Sequence, residues 1–151
     1  MDGFDKLSQR LAPYFGDNAP LGPIRFESPA HFTIGNGRVV VGGVKIATVE
    51  AGSPGAGRGL SGCHLPDDAG LLFKNGGAAS YWMPGVPQAL DLVFMRGDGM
   101  VLDVQKMAMV TDPAADLPLY STTKVATHAL ELPEGWCARH GVSAGCYFKE
   151  Q

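Results

Sequence analysis

GLLFKNGGAASYWMPGVPQALDLVFM, residues 70–95, places one apolar run at Leu71–Phe73 and a second at Leu90–Met95, on either side of an aromatic, proline-containing turn region. Apolar runs of this length bounded by Gly, Asn and Pro read as strand, loop, strand. Pro84 and Pro87 lack amide donors and restrict the residues before them, so the path after Trp82 is stiff and non-helical.

Upstream, Val44–Val49 (VKIATV) sets Val44, Ile46 and Thr48 against Lys45, Ala47 and Val49, the alternation of a half-buried strand. Ile24–Glu27 suits a short strand, and His31–Ile34 pairs with Arg38–Val41 through Gly35-Asn36-Gly37, residues that tolerate positive φ. Downstream, Asp98-Gly99 predicts a hairpin turn from Leu92–Met95 into Met100–Val104, with Lys106–Val110 continuing past a bulge. Lys124–Leu132 reads as a strand. Pro133-Glu134-Gly135 opens a helical turn through His140, closed by Gly141, and Ala144–Lys149 is a final strand. With 21 glycines and 11 prolines among 151 residues, turns and short strands are favoured over long helices. The prediction is a mainly β chain: a compact antiparallel β sandwich or barrel with short helices over residues 24–151, preceded by an arm and linker over residues 1–23.

The arm carries Phe4, Leu7, Leu11, Tyr14 and Phe15 at helical spacing, with Asp2 placed to cap its start and Gly16 to end it. Such an amphipathic helix must cover its own β core or another chain.

Composition excludes several classes. The net charge of −3 comes from 12 basic and 15 acidic residues without a basic block, which argues against nucleic acid as a partner. No apolar run approaches a bilayer span, and MDGFDKLSQR lacks the apolar core of a signal peptide. Three cysteines, Cys63, Cys137 and Cys146, make reduced thiols the default, with a Cys137–Cys146 bridge as the alternative.

Arg58-Gly59-Leu60, Gly70-Leu-Leu-Phe73, Trp82-Met83, Leu90-Asp91 with Phe94, and Leu130-Glu131-Leu132 with Gly135 occur in a family-like order. Over roughly residues 44–148 the chain resembles the domain of unknown function 192 family. That resemblance implies a compact, mostly antiparallel β domain, often exported or membrane-tethered, and brings no agreed catalytic residues. The chain has Ser61, Pro84 and Gly85, and Cys146 where that family usually shows Met, a basic and an amide residue, and Asp.

Gly57, Gly59 and Gly62 spell G-x-G-x-x-G, but Cys63-His64-Leu65-Pro66 follows without helical period, so the dinucleotide reading fails and tight backbone geometry remains. Cys63-His64 with Cys137-x-x-His140 and Cys146 offers soft ligands at non-standard spacing, so no metal and no cofactor are expected. A nucleophilic cysteine would need a neighbouring histidine that sequence does not place. Arg58, Asp91 and Glu131 are the charged residues at the strongest family-like positions, and both carboxylates interrupt apolar strands. Read structurally, Arg58 pairs with one carboxylate while the other accepts amides from the Trp82–Gln88 loop. Read functionally, the carboxylates form a paired site with Trp82 as a stacking wall.

With no surviving nucleophile, metal set or phosphate loop, the leading expectation is a non-catalytic binding or assembly domain working with protein partners or itself. A viral capsid cement or decoration subunit is one concrete form, its contacts made by Phe4, Leu7, Leu11 and Phe15. The alternatives are a domain binding a small polar, saccharide-like ligand, and a carboxylate hydrolase.

Overall fold

The computed structural model describes residues 23–26, 43–53, 56–57, 59–62, 64–67, 69–112 and 116–150. The arm with Phe4, Leu7, Leu11 and Phe15, the Gly35-Asn36-Gly37 hairpin, Arg58 and Cys63 lie outside them. The strands are β1 (Pro23–Phe26), β2 (Gly43–Glu50), β3 (Ala69–Lys74), β4 (Leu90–Met95), β5 (Val101–Met107), β6 (His128–Pro133) and β7 (Phe148–Glu150), with one short helix among the described residues, α1 (Trp136–His140). Among these residues no helix is long and apolar enough to cross a membrane.

The chain is mainly β. The seven strands among the described residues lie in one sheet of order β5-β4-β6-β3-β2-β1-β7. The sheet is mixed where an antiparallel one was expected: β2 and β3 run parallel, from Lys45↔Ala69 to Glu50↔Lys74, while the other neighbours are antiparallel. A tight hairpin cannot join parallel strands, and the segment 51–68 is long enough to carry the chain back from the end of β2 to the start of β3. β3 and β4 are not neighbours either. β6 enters between them, pairing Leu71↔Glu131 on one side and Leu92↔Glu131 on the other.

The Asp98-Gly99 turn forms as its composition implies, with the Arg96 amide donating to the Met100 carbonyl at 2.9 Å and Gly99 at φ 91°. This turn also brings the two ends of the strand order together. Met100 bridges Tyr147, and the Phe148 amide reaches the Gly99 carbonyl at 2.9 Å. A Cβ at Gly99 would stand 2.1 Å from the Phe148 carbonyl oxygen, so only glycine permits this approach. The sheet thereby curls toward closure, the barrel side of the sandwich-or-barrel expectation.

Strands buried on both sides explain why β3, β4 and β6 are nearly continuous in apolar residues. One face contributes Ala47, Val49, Leu71, Phe73, Leu92 and Phe94 to a first hydrophobic cluster. The other contributes Ile46, Leu72, Val93, Leu130 and Leu132 to a second, which Trp136 and Cys137 of α1 and Phe148 complete. β6 begins at His128 rather than Lys124, because Gly77 donates to the Thr127 carbonyl at 3.0 Å and holds the preceding residues as a loop.

Candidate functional site

Beyond the first cluster, two loops face each other across a cavity of about 320 Å³. One wall is the glycine-rich crossover, including Gly52, Ser53, Ala56 and Leu60; the other is the loop with Tyr81, Trp82, Pro84 and Val86; Phe73 and Glu131 complete it from the sheet. Glycines lower the first wall because they place no side chain in the space, and Gly59 at φ 53° turns a corner there. The stiff second wall is tied across the gap: the Ser61 hydroxyl donates to the Pro84 carbonyl, the Leu65 amide to the Gln88 side chain, and the Gly62 amide to the Gly85 carbonyl at 2.8 Å.

Tyr81 anchors the same loop from behind. It exchanges both backbone hydrogen bonds with Tyr120 at 2.8 Å, and its hydroxyl donates to the Gly76 carbonyl at 2.6 Å. Its ring meets Phe73 edge-on at 4.9 Å. Burial, reinforced by the Glu131 carboxylate, pushes the Tyr81 phenol above its usual range, so it stays neutral. Trp82 is 52 % exposed and stands at the cavity rim.

Glu131 is the polar centre. It is 4 % exposed, sits between Leu71 and Leu92 in the sheet, and lines the cavity. Burial alone pushes its carboxyl up to about 8, because a charged carboxylate loses its hydration there. Among the described residues no donor is hydrogen-bonded to it. Arg58, the cation expected to pair with a carboxylate, falls in sequence between the lining residues Gly57 and Gly59 and is not described.

Asp91 is elsewhere. It pairs with Leu132 in β6 while Glu131 pairs with Leu92, so the two carboxylates point to opposite faces of the sheet. Asp91, 2 % exposed, accepts the Gly135 amide at 3.2 Å and the Cys137 amide at 2.9 Å, satisfying the first turn of α1 from a neighbouring strand. Its amides therefore come from the helix start and not from the Trp82–Gln88 loop. A shared two-carboxylate cleft does not form, which removes the geometry required for the hydrolase reading. Trp82 and Glu131 are brought to one cavity; Asp91 is excluded from it.

Cys137 and Cys146 are buried in the second cluster. Burial first, then the Asp91 carboxylate, drives the Cys137 thiol above its usual value, the opposite of what a nucleophile needs. His140 stacks on Trp136 at 4.0 Å. Among the described residues no group of three or more His, Cys, Asp or Glu side chains is arranged to hold a metal ion. The crossover's glycine density is visible in the sequence, but such a stretch reads there as tight turn geometry and carries no sign that it walls a cavity.

The family model DUF192, described as an uncharacterized ACR, matches residues 44–149, and the chain belongs to that family. No curated protein matches it. Among solved structures, a candidate transcription regulator from Sinorhizobium meliloti 1021 is 20 % identical, with a TM-score of 0.66 over 85 % of this chain and 92 % of that one. A protein of unknown function from Novosphingobium aromaticivorans is 19 % identical, with a TM-score of 0.65 over 88 % of this chain and 94 % of that one. At these identities the likeness shows the fold.

Proposed function

We propose that this member of the DUF192 family is a non-catalytic domain that binds a small polar ligand in the cavity between the crossover and the Tyr81–Val86 loop. The observation that carries the reading is the buried Glu131 carboxyl in the cavity wall. Burial of a carboxyl opposes its ionisation, and a ligand group meeting it supplies a hydrogen bond that none of the described residues makes. Apolar walls from Phe73, Leu60 and Val86, a flat ring at the rim from Trp82, and a few polar groups, Glu131 with Ser53, Ser61 and Ser80, are the usual composition of a small-molecule site. A volume of about 320 Å³ admits a single compact ring and excludes a polymer chain from the interior.

Fragment screening by amide chemical-shift mapping on the full chain tests this. Hits should shift Ser53, Ser61, Tyr81, Val86 and Glu131 together. Ala79→Trp, which adds a large ring at an exposed lining position, should abolish those shifts without changing the melting temperature by more than a few degrees. Hits that cluster elsewhere, or survive Ala79→Trp unchanged, would remove the cavity from consideration.

A further inference from the structure

Resting on the cavity as a ligand site, we infer that its ligand is a protonated amine carried on a compact ring, with the ammonium set against Glu131 and the ring between Phe73, Tyr81 and Trp82. Charge is the first reason. Among the described lining residues Glu131 is the only group able to carry a full charge at neutral pH, since the Tyr81 phenol is held neutral. A desolvated carboxylate is strongly complementary to a cation and repels a second anion.

Aromatic placement is the second reason. Phe73 and Tyr81 lie edge to face at 4.9 Å behind the cavity, and Trp82 stands at its rim. Negative ring faces attract an ammonium, and the same surfaces accept the apolar body attached to it. Of the hydroxyl-bearing residues in the lining, Ser61 donates to the Pro84 carbonyl and Ser53 accepts the Ala56 amide at 3.2 Å, while Ser80 is exposed. A neutral polyol meets the same carboxyl without the charge complementarity that an ammonium brings.

Proton exchange follows from this pairing. A carboxyl held protonated near neutrality by burial must release its proton to meet an ammonium as an anion. Binding of the amine thus liberates up to one proton to solvent at pH 7, and affinity rises with pH until Glu131 ionises without help. A neutral alcohol of the same shape binds without proton release.

The probes are 2-phenylethylamine, 2-phenylethanol and 3-phenylpropionate, titrated into the full chain by calorimetry in two buffers of different ionisation enthalpy, with chemical-shift mapping in parallel. The amine should bind at least tenfold tighter than the alcohol, the carboxylate weakest, with the amine releasing between one half and one proton at pH 7. Glu131→Gln should erase the amine's advantage over the alcohol together with its proton release. If the alcohol or the carboxylate equals or exceeds the amine at the mapped cavity, the amine assignment falls and the cavity reading stands. If none of the three perturbs the cavity residues, both fall.

Discussion

Glu131→Gln should make the protein more stable, and increasingly so as pH rises. Glutamine keeps the shape and removes the charge. The carboxyl pKa moves from 4.5 to about 8 on folding, and a tenfold change in proton affinity corresponds to about 1.4 kcal/mol between the two protonation states. Between these values the native state holds a proton that the unfolded chain has released, so stability falls with rising pH, by about 1.4 kcal/mol for each tenfold drop in proton concentration. Below the unfolded value both states are protonated and the carboxyl imposes no penalty. Above about pH 8 both are ionised, and the full penalty of about 5 kcal/mol is present. Glutamine does not titrate, so the gain should be near zero at pH 4, about 3 kcal/mol at pH 7 and about 5 kcal/mol at pH 9. Urea denaturation of both proteins at the three pH values, followed by tryptophan fluorescence and far-UV dichroism, measures the difference, and titrations common to both proteins cancel. A variant less stable than the parent at pH 7–9 would refute the reasoning. It would mean that a cation, Arg58 being the candidate in sequence, reaches the carboxylate and is stranded by its removal.

Asp91→Ala should cost about 2–4 kcal/mol, because the buried amides of Gly135 and Cys137 lose their acceptor; Asp91→Asn should retain part of this. A urea midpoint within error of the parent, or unchanged hydrogen exchange at those two amides, would show that α1 does not depend on the strand carboxylate. Thr48→Val should stabilise by about 1–2 kcal/mol, since the Thr48 hydroxyl is buried with no partner among the described residues. A lower melting temperature would reveal a hydrogen bond to that hydroxyl from outside them.

Local chemistry was legible from the chain alone. The Asp98-Gly99 turn, the strand cores at Leu71–Phe73 and Leu90–Met95, and the helix stop at Gly141 follow from φ preferences and apolar runs within a few residues. So did the mainly β class and the burial of both carboxylates. The partners of those carboxylates were not legible. Leu90-Asp91-Leu92 and Leu130-Glu131-Leu132 look equivalent, and alternation within a strand cannot say how it registers against another. Register decided it: Leu92↔Glu131 turns one carboxyl into a cavity and the other onto the start of α1. Insertion of β6 between β3 and β4, and the parallel return of β3 beside β2, are likewise non-local pairings. Composition and periodicity thus determined that this chain would be mainly β and would bury carboxyl groups within apolar strands. Only the tertiary pairing, which sets the faces of strands far apart in sequence, decided which of them would face the cavity.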